Sequence, residues 1–103
     1  MVEENITQEA LIRGKLNSET ARIPWKELQR YFAGGYTLTV EQQLDLIDVA
    51  YQMHTDNAAQ IEKWMNADLI HPVSNTQARQ WHNDDAELWA CVIKPWVLIQ
   101  SQE

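Results

Sequence analysis

Apolar positions along the chain switch between a helical and an extended period, and the switches divide it into elements. Ile6 and Leu11 bracket Thr7 as a hydrophobic staple brackets an N-cap, and Leu11, Ile12 and Leu16 continue as a short stripe. A helix is expected from about Thr7 to Leu16. The polar run Asn17 to Thr20 reads as a turn, and Pro24 suits the first position of a second helix, in which Trp25, Leu28 and Phe32 share one face. Gly34-Gly35 ends that helix. Tyr36 to Val40 then alternates apolar and hydroxyl side chains, the pattern of a half-buried strand.

Helical spacing returns from Leu44 to His54, with Leu46, Val49, Ala50 and Met53 on one stripe. Asn57 to Gln60 resembles a capping box that opens a further helix, whose inner stripe is Ala58, Ile61 and Met65 beside Trp64. Leu69 to Val73 reads as a short strand limited by Pro72, and Ser74 to Gln77 as a second capping box with Ala78 and Trp81 turned inward. From Leu88 to Ile99 apolar residues dominate both alternate sets, as in a strand covered on both faces. Its start is expected to be a helical turn from Asp85 to Trp89, with Pro95 marking a bulge or the change into strand. The fold expected is α+β: about five helices on a small, mainly antiparallel three-stranded sheet of Tyr36 to Val40, Leu69 to Val73 and Val92 to Ile99. Residues 1–103 form a single domain in this reading, with residues 1–6 as a flexible tail.

Composition narrows the function classes. No apolar run approaches the roughly 18 residues that cross a bilayer, and the first residues lack the basic and apolar regions of a signal peptide, so a cytoplasmic protein away from membranes is expected. Cys91 is the single cysteine, which leaves no internal disulfide and no multi-cysteine zinc site. The net charge of −7 comes from residues 41–103, because residues 1–40 carry equal numbers of acids and bases. Such a surface repels phosphate backbones. The basic stretch from Arg13 to Arg30 is the exception, but its two helices are too far apart for a helix-turn-helix, and Lys26 and Arg30 have few neighbours able to read base edges.

Five tryptophans stand out, since each ring can bury on the order of 200 Å² and carries an N–H that needs a partner. Trp25 and Trp81 fit core stripes. Trp89 and Trp96 are seven residues apart, so along one extended segment they point to opposite faces and one of them faces outward. Trp89, Lys94, Pro95, Trp96 and Val97 are therefore the candidate interaction surface. His54, Asp56 and Trp64 are a candidate small-molecule pocket in an alternative reading. The three histidines lack metal-ligand spacing, and Cys91 in an apolar segment reads as a small buried hydrophobe. No catalytic residue, metal or cofactor is assigned.

The segments Ile23 to Leu28, Leu44 to Ala50, Gln77 to Trp81 and Pro95 to Gln100 resemble a small bacterial family of domains of unknown function, the 2288 family. The resemblance spans nearly the whole chain. It implies a stand-alone cytoplasmic bacterial domain and brings no catalytic or binding residues with it. The functional expectation is a non-enzymatic domain that self-associates, as a homodimer, or binds a protein partner; small-molecule binding comes second and nucleic-acid binding third.

Overall fold

The structure is a computed structural model and describes residues 7–102; the expected flexible tail lies outside the described residues. The elements run α1 (Gln8–Glu19), β1 (Ala21–Pro24), α2 (Trp25–Ala33), β2 (Thr37–Val40), α3 (Leu46–His54), α4 (Ala58–Asn66), β3 (Ile70–Pro72), α5 (Asn75–Asn83), β4 (Glu87–Ile93) and β5 (Trp96–Gln100). The α+β class and the five helices match the expectation. The sheet does not: it has five strands in the order β1-β4-β5-β2-β3, and it is mixed, with β5 and β2 parallel.

Two features account for the extra strands. Residues Ala21–Pro24 are too short to carry a period, and they become a strand by pairing with β4, where Ala21 lies opposite Ala90 and Ile23 opposite Leu88. Pro24 closes this strand and caps the next helix, which starts at Trp25. The expected single strand from Val92 to Ile99 is a hairpin instead. It reverses at Lys94 and Pro95, joined by a cis peptide bond, and Ile93 pairs with Trp96 across the turn. A cis proline at the third position of a four-residue turn defines the type VI class. The expected helical turn up to Trp89 is already strand from Glu87 onward, because β1 supplies it with a neighbour.

Local chemistry sets the helix ends. Asn17 and Ser18 extend α1 where a turn was expected, since Ser18 Oγ donates to the Lys15 carbonyl and Thr20 Oγ1 to the Leu16 carbonyl, each at 2.8 Å. Their hydroxyls satisfy the helix end. Asp45 caps α3 by accepting the Ile47 N–H at 2.9 Å, which moves its start to Leu46. Asn57 and Ser74 accept the amide hydrogens of Gln60 and Gln77, as the capping boxes require. At the other ends, α2, α3, α4 and α5 all finish with paired bonds, of which Asn57 N–H to Gln52 O and Leu69 N–H to Trp64 O are examples, both at 2.9 Å. The left-handed residue this motif needs is Gly35 after α2, but Asp56, Asp68 and Asp85 after the other three.

The sheet is the middle layer of three. On one face Leu38, Val40, Ile70, Cys91 and Leu98 meet Leu16 of α1 and Leu46, Val49 and Ala50 of α3. On the other, Leu88, Ala90, Val97 and Ile99 meet Trp25 and Leu28 of α2 and Ala78 and Trp81 of α5. This arrangement is why β4 and β5 are apolar in both alternate sets. Arg13 fastens α1 to α3, its guanidinium 2.8 Å from both Glu9 and Asp48 and 4.4 Å from the centre of the Tyr51 ring.

Candidate functional site

The hairpin turn places Ile93 and Trp96 opposite each other on the last rung, with side chains on the face that α3 covers. Met53 reaches this end from α3. The turn at Thr55 to Asn57 then swings the chain into α4, which adds Ile61 and Met65. These five side chains line a groove of about 460 Å³. Asp56, Glu62 and Lys94 stand at its edge. Within and beside it, Trp96 is 36% exposed, Met65 42% and Tyr36 43%.

Tyr36 belongs to this patch through its ring, which meets that of Trp96 edge-on with centroids 6.3 Å apart. The preceding glycines put it there. Gly35 takes φ +83°, and a Cβ on Gly34 would come within 2.9 Å of the Tyr36 ring. Side chains at either position would therefore disturb the approach of Tyr36 to Trp96.

The candidate residues are distributed differently from their order in sequence. Lys94, Pro95 and Trp96 form the turn together, whereas Val97 is buried against α2 and α5. Trp89 lies four rungs down the hairpin, about 13 Å from Trp96 at the usual rise per residue. The hairpin turn returns Trp89 and Trp96 to the same face, in place of the opposite faces expected of a continuous strand, and both are partly exposed. Trp89 has Arg22 over its ring at 5.9 Å. Of the alternative set, Asp56 lines the Trp96 groove, His54 lines a separate depression beside α1, and Trp64 packs on the core. The three do not meet in one cavity. Sequence reading missed Met65 and Tyr36 as surface: Met53 and Ile61 are half-buried against the core as their stripes required, but Ala58 and Met65, expected on the inner stripe of α4, are exposed.

Other reactive groups have structural surroundings. Burial pushes the Cys91 thiol pKa up, against a smaller opposing effect from the Thr20 hydrogen bond, and it sits 1% exposed in the core. His71 on β3 is 2.6 Å from Glu41 through Nε2. Partial burial disfavours its charged form, but the hydrogen bond to Glu41, with the Pro72 carbonyl and the charges of Glu41 and Asp68, outweighs this and raises the pKa. Among the described residues no three His, Cys, Asp or Glu side chains gather as metal ligands, and no helix is long and apolar enough to cross a membrane.

Residues 11–101 match the family model of a protein of unknown function, DUF2288. The solution NMR structure of PA1075 from Pseudomonas aeruginosa is similar to this chain, with 36% identity and a TM-score of 0.78 over 93% of this chain and 89% of that one. No curated protein matches. The chain belongs to the DUF2288 family of proteins of unknown function.

Proposed function

We propose that the chain is a non-enzymatic protein-binding domain whose contact surface is the groove beneath Trp96. The observation that carries this reading is the aromatic and methionine surface left open there: Tyr36, Met65 and Trp96 remain exposed around a concavity, while Trp25 and Trp81 on the other face of the sheet are buried. Tryptophan, tyrosine and methionine are the residues that protein interfaces concentrate, and flexible thioethers adapt to an incoming apolar side chain. Asp56 adds a charge to this edge at a cost. It occupies a left-handed position that glycine would fill with less strain, at the negative pole of α3. Asp56 and Glu62 outnumber Lys94 on this edge and favour a protein segment that carries both an apolar anchor and positive charge.

An isotope-labelled sample titrated with a synthetic helical peptide of leucine and lysine tests this. The Trp96 indole and the Met53 and Met65 methyls are expected to shift together, and Met65→Glu is expected to abolish the effect while leaving the spectrum of the core unchanged. Shifts scattered over the whole surface, or none, would overturn the reading.

A further inference from the structure

Trp89 shares a face of the sheet with Trp96 but has different surroundings. Strand β4 runs between β1 and β5, so on its rung Trp89 has Arg22 on one side and Gln100 on the other. The Arg22 guanidinium lies 5.9 Å from the ring centre, with Glu87 and Gln102 at 3.9 and 3.1 Å from its nitrogens. On the Gln100 side, the C-terminal end of α1 and the start of α3 border a depression of about 270 Å³. Trp89, 38% exposed, is one wall of it, and Leu46 and Ile47 add apolar surface.

The polar groups of this depression are held in place, and their hydrogens are already committed. Gln100 Nε2 donates to the carbonyls of Glu41 at 3.1 Å and Leu44 at 2.9 Å, which uses both amide hydrogens and leaves Oε1 to accept. Thr20 Oγ1 donates its one hydrogen to the Leu16 carbonyl at 2.8 Å. Asp45 Oδ1 accepts the Ile47 N–H at 2.9 Å, and its second carboxylate oxygen faces no such demand from that cap. Three acceptors thus flank an aromatic face, and Asn17 adds an amide that both donates and accepts. A ligand matched to them has an apolar face and an edge bearing several hydrogen-bond donors. Its charge is limited from both directions. The ring already holds the Arg22 cation, which opposes a second one, and the Asp45 carboxylate opposes an anion.

We propose that this depression binds a neutral saccharide unit, whose C–H face stacks on Trp89 while its hydroxyls donate to Gln100 Oε1, Thr20 Oγ1 and Asp45. Sugar C–H groups carry a slight positive charge that suits the negative face of an indole. A few fixed polar groups beside apolar surface are the usual make-up of a small-molecule site. The site is separate from the Trp96 groove and does not depend on the protein-binding reading.

Titration of the nitrogen-labelled protein with glucose, galactose, mannose and N-acetylglucosamine in turn tests this through the Trp89 indole and Gln100 side-chain amide signals. At least one sugar is expected to move both signals saturably, with a dissociation constant in the millimolar range that suits so small a ligand. Trp89→Thr, which keeps a strand-forming side chain, is expected to weaken that sugar by about 10-fold or more, read at Gln100. Asp45→Asn keeps the helix cap and exchanges a charged acceptor for a neutral one, and is expected to weaken it about 3-fold. Circular dichroism melts check that both variants fold. The Trp96 indole is expected to stay still throughout; if it moves with Trp89, the sugars contact exposed tryptophan generally and the proposal fails. Silence with all four sugars, or shifts at Gln100 that Trp89→Thr leaves unchanged, would overturn it as well. So would tighter binding at these signals by adenosine or by arginine amide, which would make the depression a site for a flat base or for a cation.

Discussion

Trp25 and Trp81 on one face of the sheet, and Trp89 and Trp96 on the other, are the same residue type under opposite circumstances. The first pair is 1% and 8% exposed, with rings 5.2 Å apart at 56° and Phe32 against Trp25. The second pair is 38% and 36% exposed. The difference lies in what covers each face. Helices α2 and α5 pack against each other over β4 and β5, and their aromatic residues fill the space between. On the other face α4 packs on α3 and on the edge strand β3, which leaves the hairpin end without a lid. A tryptophan in this molecule is core or surface according to whether a helix lies over it.

Breaking the covered pair should have the largest effect. Trp25→Ala removes a fully buried ring and is expected to cost about 3–5 kcal/mol, by loss of transfer energy and by the cavity left beside Trp81. Trp25→Phe sharpens the point. The Trp25 indole N–H has no hydrogen-bond partner among the described residues, so replacing it removes a buried unsatisfied donor along with some packing, and the loss is expected to be roughly half as large or less. Urea denaturation of both variants checks this; equal losses would mean that the indole nitrogen has a partner after all.

Trp96→Ser on the open face is expected to cost about 1 kcal/mol, because its ring is already partly in water and loses mainly its contacts with Tyr36 and the groove. Peptide binding should fall much further than stability. A loss comparable with that of Trp25→Ala would show that Trp96 belongs to the core.

The groove wall can be strengthened without altering its lining. Asp68 ends α4 with φ 61°, an acid in the left-handed region at the negative end of a helix. Asp68→Gly relieves both the steric and the electrostatic penalty and is expected to stabilise by about 1 kcal/mol, less the entropy glycine gains on unfolding. A thermal melt that shows no gain would mean that the Asp68 carboxylate has a compensating role.

The smallest effect concerns pH. His71 has a raised pKa in the folded state, so its contact with Glu41 stabilises fully below the unfolded value of about 6.5 and this contribution is lost as pH rises through the higher folded value. The stability difference between wild type and His71→Gln should shrink over that window. Parallel curves would show that the 2.6 Å contact is not linked to protonation.

Legibility from sequence followed the range of the interactions involved. The capping residues Thr7, Asn57 and Ser74 hydrogen-bond to amides three residues ahead, and the Gly34-Gly35 stop acts over a single turn, so these boundaries could be read directly. The double apolar pattern of β4 and β5 likewise announced a sheet covered on both faces. Strand β1 could not be read, because four residues ending in proline are a strand only when Ala90 and Leu88 lie opposite them. Pro95 looked like a bulge for a similar reason: whether a proline bends a strand or reverses it depends on which neighbours the following residues find, here Val97 against Val92 and Leu98 against Cys91. The groove was still more remote, since Tyr36, Met53, Met65 and Trp96 come from four separate stretches and share no local signal. The sequence by itself determined the five helices, the caps at Thr7, Asn57 and Ser74, the strands covered on both faces and the concentration of tryptophan, the first three being consequences of bonds and periods spanning a few residues. Only the tertiary structure decided the number and order of strands, which tryptophans are covered, and that Tyr36, Met53, Met65 and Trp96 meet around one groove, because these depend on contacts between residues far apart in the chain.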